Sequence, residues 1–322
     1  MKATNRGLLR LFVVLAALTL AAAAWGAAGS PSRSSGPAGG SGPLAGATFT
    51  VGSKEFTEQL ILGHITKQAL EAAGATVKDE IGLSGTVVAR KALTSGKIDM
   101  YWEYTGTGWI THLKKTKPIP DSRRQYAAVA KADLKNGITW LATAPFDNTY
   151  AFTVRTEAAK QLGVTKISDF RRLIQRDPDK ATFCAASEFL TRDDGLPGIE
   201  KRYGFEFPED NVTELDLGVV YTEVDKGRTC NFGEAFATDG RIAALGLTVI
   251  RDDRKFFPVY NPALNVRTSV LKKYPALRGL FARIATKLDT KTMQALNASV
   301  DVKGKFPEQV AKDWLKKNRF AK

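Results

Sequence analysis

Aromatic residues beside short turn sequences are the feature of this sequence with the most chemical meaning. They form four clusters at predicted strand ends, around Tyr104, Tyr150, Phe236 and Tyr260. The face of an aromatic ring attracts a cation that has no N–H to donate, by roughly 0.5–2 kcal/mol per ring in a dry site. Packing in a core would explain any single cluster. Four clusters at strand ends, where α/β proteins bind ligands, instead predict a site for an organic cation such as a quaternary ammonium.

Motifs that support catalysis are absent from the sequence. It contains no G-x-S-x-G elbow, no phosphate-binding loop and no H-E-x-x-H pair. We expect His64 to pack in a core or at the surface, and His112 to be a solvated loop residue. The pair Asp193-Asp194 is expected to serve caps and turns, because adjacent residues in a strand point to opposite faces. We therefore predict no enzyme, no metal and no cofactor; an enzyme would need a positioned acid–base pair.

Predicted strands and helices alternate from Thr48 onwards, which is typical of open α/β sheets. A strand from Thr48 to Val51 and a helix from Thr57 to Ala73 begin the first set. A strand from Tyr150 to Arg155 and a helix from Thr156 to Leu162 begin a second set. After Pro262 the pattern is helical to the end of the chain.

The first residues have the layout of a secretory signal peptide. Lys2, Arg6 and Arg10 precede an apolar run from residue 11 to residue 24, and small residues follow it. We predict a signal peptide over 1–28, and hence an exported protein of the periplasm or the outer face of the cell membrane. Residues 29–46 are mostly Gly, Ser, Pro and Ala and predict a flexible linker.

The formal net charge of the chain is +14. Four positive residues and no acid precede residue 48, which leaves +10 on the remaining chain. The positive residues are interleaved with Asp and Glu, and no Lys/Arg block with aromatics between its members occurs. We therefore do not expect nucleic acid as a partner.

Two cysteines, Cys184 and Cys230, are the whole cysteine content. Outside the cytoplasm an even pair favours a disulfide. Two buried free thiols are the main alternative. A metal site is disfavoured, because the sequence has two histidines and no close Cys/His spacing.

Six motifs in order resemble the substrate-binding proteins of glycine betaine/choline/carnitine ABC importers. The resemblance covers about Thr48 to Phe320. The motifs are Gly52-Ser53-Lys54-Glu55-Phe56-Thr57-Glu58-Gln59, Glu103-Tyr104-Thr105-Gly106-Thr107, Glu188-Phe189 with Arg192 and Asp194-Gly195-Leu196, Ala235-Phe236 with Thr238-Asp239-Gly240, Asp252-Asp253 with Phe256-Phe257-Pro258 and Tyr260, and Met293 with Leu296-Asn297.

The resemblance implies an α/β periplasmic-binding-protein-like fold of type II. In this fold two lobes are joined by a hinge of two crossovers, and they close on the solute. Carried over to this chain, lobe one is expected over 47–147 and 261–322, and lobe two over 148–260.

The resemblance also implies a box of aromatic rings, contributed by both lobes, around the methylated nitrogen of the solute. The four matching residues are Tyr104, Tyr150, Phe236 and Tyr260. Phe236 stands where members of the family often have tyrosine, so a ring face is kept and a hydroxyl is lost.

The carboxylate of a betaine is assigned by the same resemblance to Lys54, Thr107 and Arg192. The planar guanidinium of arginine matches a carboxylate with two parallel hydrogen bonds. Glu188 is expected to orient Arg192 or to bridge the lobes, and Asn148 is a weaker candidate for contact with the solute.

The implied function is the capture of a quaternary ammonium solute, such as glycine betaine or choline, and its delivery by a monomeric protein to the permease of an ABC importer. The alternative is a binding protein of the same class for another zwitterion, such as an amino acid or ectoine. The N–H donors of an amino acid would require an acidic side chain near the nitrogen.

Overall fold

The computed structural model of the protein describes residues 42–321, apart from 116 and 118. The expected signal peptide and residues 29–41 of the expected linker lie outside the described residues. Residues 42–46 are packed: Leu44 is buried, and its N–H donates to the carbonyl of Ala73 at 3.0 Å. The packed structure thus begins inside the stretch expected as linker, because an apolar side chain there reaches the core.

Two five-stranded sheets form in the described part of the chain. Their strands are β1 (Thr48–Lys54), β2 (Thr76–Leu83), β3 (Met100–Tyr104), β4 (Ile138–Thr143), β5 (Tyr150–Arg155), β6 (Phe183–Ala185), β7 (Val212–Glu214), β8 (Phe232–Phe236), β9 (Leu247–Ile250) and β10 (Pro262–Arg267).

The sheets share one strand order. The first runs β2-β1-β3-β10-β4 and the second β7-β6-β8-β5-β9. In each, the fourth strand is antiparallel to its neighbours and is the first strand after the chain has crossed from the other sheet. The crossings lie between β4 and β5 and between β9 and β10. The protein therefore has the predicted α/β architecture of two lobes joined by two crossovers.

Helices cover the sheets, and none in the described ranges is long and apolar enough to cross a bilayer. They are α1 (Thr57–Ala72), α2 (Thr86–Ser95), α3 (Thr105–Thr107), α4 (Ser122–Asp133), α5 (Thr156–Leu162), α6 (Phe170–Arg176), α7 (Ser187–Thr191), α8 (Leu196–Tyr203), α9 (Leu217–Lys226), α10 (Gly240–Ala244), α11 (Thr268–Lys273), α12 (Ala276–Ala285), α13 (Thr290–Asp301) and α14 (Pro307–Lys317). A π-helical turn, Gly108–His112, follows α3.

The prediction that the chain is helical after Pro262 was wrong at the start, where Pro262 and the next five residues are a strand. They form β10, which lies between β3 and β4 of the first sheet. A proline is tolerated as the first residue of a strand, because no ladder hydrogen bond is needed from its nitrogen there. The helices that follow pack on the first sheet, where α14 lies against α1.

A disulfide joins Cys184 on β6 to Cys230 just before β8, with an S–S distance of 2.06 Å. Of the three states considered from the sequence, a disulfide, two free thiols or a metal site, the structure has the disulfide. We expect the double variant Cys184→Ala/Cys230→Ala to lose about 2–4 kcal/mol in free energy of unfolding, because the bond limits the unfolded chain. Urea unfolding measures it, with reduced wild type as the matched control. Equal stability of the oxidised protein and the double variant would contradict the prediction.

Candidate functional site

A cleft of about 870 Å³ opens where strands of both sheets end. Loops after β1, β2 and β3 line it from one lobe, and loops after β6 and β7 with the end of β8 line it from the other. Nine residues assigned to the site from the sequence all line this one cleft: Lys54, Tyr104, Thr107, Asn148, Tyr150, Glu188, Arg192, Phe236 and Tyr260.

The four rings of the predicted box are connected through ring contacts. The centroid of Tyr150 lies 5.1 Å from that of Phe236 and 5.4 Å from that of Tyr260. Phe56 joins Tyr104 to this group, with centroids 5.2 Å from Phe236 and 6.3 Å from Tyr104. Phe56 was missed as a site residue, although it lies in the first motif beside Lys54. The wall of rings draws on both lobes and faces the cleft.

The hydroxyl of Tyr104 is held by Glu58, a buried carboxylate that the sequence did not assign to the site. It accepts from Tyr104 at 2.7 Å and from the amide of Asn148 at 2.9 Å. Its second oxygen accepts from Thr238 at 2.5 Å and from Asn297 at 3.1 Å. Burial raises the pKa of Glu58, and these hydrogen bonds oppose the rise. Glu58 therefore fixes one ring of the wall and ties it to a crossover segment.

Lys54 is buried in the cleft beside Tyr104. Its ammonium pairs with Glu103 at 2.8 Å, donates to Thr86 at 3.0 Å and lies 5.3 Å from the ring centroid of Tyr104. An ammonium has three N–H donors, so one remains for a solute. Burial alone would raise the pKa of Glu103, but the charge of Lys54 and the contact with His112 hold that pKa far below its usual value.

His112 was expected in solvent, and that expectation was wrong. Its Nε2 lies 2.9 Å from the carboxylate of Glu103, and only 4% of its side chain is exposed. Burial lowers the pKa of His112, and Glu103 opposes this. The π-helical turn after α3 brings the side chain inward, which the spacing of the sequence did not reveal.

Arg192 occupies the lobe-two side of the cleft and is held in a fixed orientation. Its Nε and Nη2 donate to Asp194 at 2.7 and 2.6 Å, and its Nη1 donates to Glu188 at 2.7 Å. The hydroxyl of Tyr260 donates to the same Asp194 at 2.5 Å. Asp194 was expected to serve a turn; instead it orients two predicted site residues. Three of the five guanidinium N–H groups are used, and two remain.

Glu188 both orients Arg192 and contacts the other lobe. One oxygen accepts from Arg192, and the other accepts from the backbone N–H of Thr86, the first residue of α2, at 3.3 Å. Burial would raise its pKa, but the charges of Lys54 and Arg192 outweigh burial and lower it. Glu188 therefore has a contact for each of the two roles expected from the sequence: it orients Arg192, and it bridges the lobes.

Gly106 is the position in the Thr-Gly-Thr run where only a hydrogen fits. A Cβ there would lie 2.7 Å from two ring carbons of Tyr260. Thr107, the next residue, lines the cleft. The glycine therefore allows the ring of Tyr260 to pack on α3.

We expect Gly106→Ala to weaken solute binding, because overpacking costs about 1–3 kcal/mol and displaces the ring of Tyr260. Calorimetric titration and a thermal melt measure the two effects. Gly279→Ala is the matched control, since a Cβ at this helical position meets nothing within 4 Å. Unchanged affinity in Gly106→Ala would show that the position of Tyr260 is not needed.

The cleft is acidic, although the protein is basic. Its three basic residues, Lys54, Arg192 and Arg241, each pair with a carboxylate. Five acids also line it: Glu55, Glu188, Glu214, Asp216 and Glu234, of which Glu234 has a pKa that burial raises to about 8. A cleft lined by one sign of charge concentrates ligands of the opposite sign. The charges of the cleft thus favour a solute that carries a cation.

Two α/β lobes, two crossovers and a cleft between strand ends define a solute-binding protein of the two-lobed class. Residues 47–317 match the OpuAC family, described as the substrate-binding domain of ABC-type glycine betaine transport systems. The chain belongs to this family. It is therefore a substrate-binding protein of an ABC transport system and not an enzyme.

Relatives and solved structures agree with this assignment. A glycine-betaine-binding protein from Pseudomonas aeruginosa is 37% identical over 278 residues, covering 85% of this chain and 88% of that protein. The structure of apo YehZ from Escherichia coli is 36% identical, covers 85% of this chain and 99% of that one, and has a TM-score of 0.62. The structure of a glycine betaine/carnitine/choline ABC transporter protein is 29% identical over 84% of this chain and 99% of that one, with a TM-score of 0.67.

Proposed function

We propose that the protein captures a quaternary ammonium osmoprotectant, such as glycine betaine or choline, in this cleft and delivers it to the permease of an ABC importer. The observation that carries the proposal is the wall of aromatic rings, drawn from both lobes, on one acidic cleft. A quaternary nitrogen has no proton to donate, so ring faces suit it better than hydrogen-bond acceptors do. The names of the relatives support the same solute class.

The methylated nitrogen is proposed to lie against Tyr104, Tyr150, Phe236 and Tyr260, with Phe56 completing the wall. The carboxylate of a betaine would face Arg192, Lys54 and Thr107. The free N–H groups of Arg192 and Lys54 support this assignment. Phe236 has a ring face but no hydroxyl, so its proposed contact with the methylated nitrogen involves no hydrogen bond from its side chain.

Transport would use closure of the two lobes, proposed as 47–147 with 261–322 and as 148–260. A solute that contacts both lobes binds the closed arrangement better and shifts the population towards it. The contact of Glu188 with the N–H of Thr86 is a direct hydrogen bond between the lobes. We propose that it forms on closure and that the permease recognises the closed form.

The remaining parts of the proposal concern export, location in the cell and partners. A signal peptide over 1–28 would direct export, so the protein would work in the periplasm or at the outer face of the membrane. A linker over 29–41, shorter than the expected 29–46 because residues 42–46 are packed, would then precede the folded lobes. We propose that the protein acts as a monomer and has no nucleic-acid partner.

Calorimetric titration with glycine betaine, choline, carnitine and proline tests the solute class. We expect saturable binding of at least one quaternary ammonium, and weaker binding of proline, which has N–H donors and no methylated nitrogen. If no quaternary ammonium binds at about 1 mM, the proposed function is wrong.

A further inference from the structure

Glu234 lines the floor of the cleft with one carboxyl oxygen uncommitted. It lies on β8 two residues before Phe236, and alternate residues of a strand share a face. The side chain is buried, and its Oε2 accepts from the backbone N–H of Ala186 at 2.8 Å. Its Oε1 accepts no hydrogen bond from any residue that the structure describes. One oxygen is thus anchored while the other can meet a solute.

Arg192, which is proposed to hold the carboxylate of the solute, is among the charged groups that act on Glu234. The titratable or charged groups that act on it are Glu188, Arg192, Tyr150 and Tyr221. The neighbouring strand β6 presents only Phe183, Ala185 and Cys184, whose sulfur is in the disulfide. Arg192 is the cation whose charge acts on Glu234. Its charge is already balanced by Asp194 and Glu188.

Burial raises the pKa of Glu234 to about 8. The negative charge of Glu188 raises it further, while the N–H of Ala186 and the charge of Arg192 oppose the rise. At neutral pH the carboxyl is therefore mostly protonated. A neutral carboxyl group has an O–H to donate, and an ionised one has none.

We propose that Glu234 is a specificity-determining residue: its neutral form donates an O–H to the carboxylate of a zwitterionic solute, and its ionised form selects a solute that carries a cation and no acid. The inference rests on the proposed function of the cleft. A solute carboxylate held by Arg192 comes close to Glu234, and two carboxylates that share a site do not both stay ionised. Choline has no carboxylate, so its charge favours the ionised form instead.

The direction of the pH dependence follows from linkage between protons and solute. Glycine betaine stabilises protonated Glu234, so its affinity falls as the pH rises above about 8 and the proton must be taken up on binding. Choline stabilises the ionised form, so its affinity rises as the pH increases towards about 8 and a proton is released on binding. Neither solute titrates in this range.

The first experiment measures dissociation constants for glycine betaine and choline from about pH 6 to about pH 9 in wild type and Glu234→Gln. Glutamine keeps the acceptor for Ala186 and stays neutral. In wild type the ratio of the choline constant to the betaine constant should fall at least about tenfold over this range, and in Glu234→Gln by less than about twofold. Glu206→Gln removes an exposed glutamate of lobe two and should behave as wild type. A flat wild-type ratio, or an unchanged slope in Glu234→Gln, would overturn the proposal.

A second measurement needs no variant. Calorimetry in buffers of different ionisation enthalpy at about pH 8 counts the protons exchanged on binding. Glycine betaine should take up protons and choline should release them; no proton exchange with either would refute the role of Glu234. If both solutes bind without pH dependence, only this inference fails. If neither binds, the proposed function itself fails.

Discussion

Tyr150→Ala should lower the affinity for a quaternary ammonium by about 30- to 150-fold, or about 2–3 kcal/mol. Tyr150 is the central ring of the wall: its centroid lies 5.1 Å from Phe236 and 5.4 Å from Tyr260. The alanine variant removes a ring face that is proposed to contact the cation, and it also loosens the packing of Phe236 and Tyr260. Calorimetric titration with glycine betaine measures the change in affinity.

Two matched variants separate the contribution of the ring face from those of the hydroxyl and of apolar packing. Tyr150→Phe keeps the ring, and the hydroxyl of Tyr150 donates to no described residue, so its affinity should stay close to wild type. Tyr150→Leu keeps apolar packing without a π face, so it should resemble the alanine variant. Circular dichroism checks that each variant is folded, because truncating a buried aromatic also costs about 3–5 kcal/mol of stability. Wild-type affinity in Tyr150→Leu would show that the ring face is not what binds the cation.

Arg192→Met should weaken glycine betaine binding by more than about 30-fold while changing choline binding far less. The substitution removes the fork that is proposed to hold the solute carboxylate. It leaves Asp194 and Glu188 without their partner, and breaking a buried ion pair costs about 3–5 kcal/mol of stability. The unbalanced charges of Glu188, which lines the cleft, and of Asp194 would even favour a cation. Titration with both solutes below the melting temperature of the variant measures the difference.

Arg192→Lys is the control for charge. Lysine keeps one positive charge but has no planar fork, so betaine affinity should lie between those of wild type and the methionine variant. Equal losses for glycine betaine and choline in Arg192→Met would mean that Arg192 supports the cleft as a whole and does not select the carboxylate.

The positions of the four box rings were predictable from the sequence because they lie beside turns at the ends of predicted strands. The strand Tyr150–Arg155 and the helix Thr156–Leu162 have the predicted bounds. Alternation of strands and helices predicted the α/β class, and the resemblance supplied the two crossovers and the other five cleft residues. β10 was missed because a strand of six residues that starts with proline carries little periodic signal.

Hydrogen-bond partners inside the site were not predictable, because they join residues far apart in the chain. Glu58 accepts from Thr238, 180 residues later, and Tyr260 donates to Asp194, 66 residues earlier. Local spacing assigned Asp194 to a turn and His112 to solvent. Asp194 instead pairs with Arg192, two residues earlier, and His112 with the buried Glu103, nine residues earlier, so even these short separations did not reveal the pairing. The pattern predicts which residues reach the cleft, but not how many of their donors are already used.

A comparison of glycine betaine with 3,3-dimethylbutanoate tests the central claim most directly, because the second molecule has the same shape and carboxylate with carbon in place of the charged nitrogen. If ring faces hold the cation, calorimetry should give at least about tenfold tighter binding of glycine betaine, and a smaller preference in Tyr150→Leu. Equal or tighter binding of 3,3-dimethylbutanoate to wild type would contradict the account.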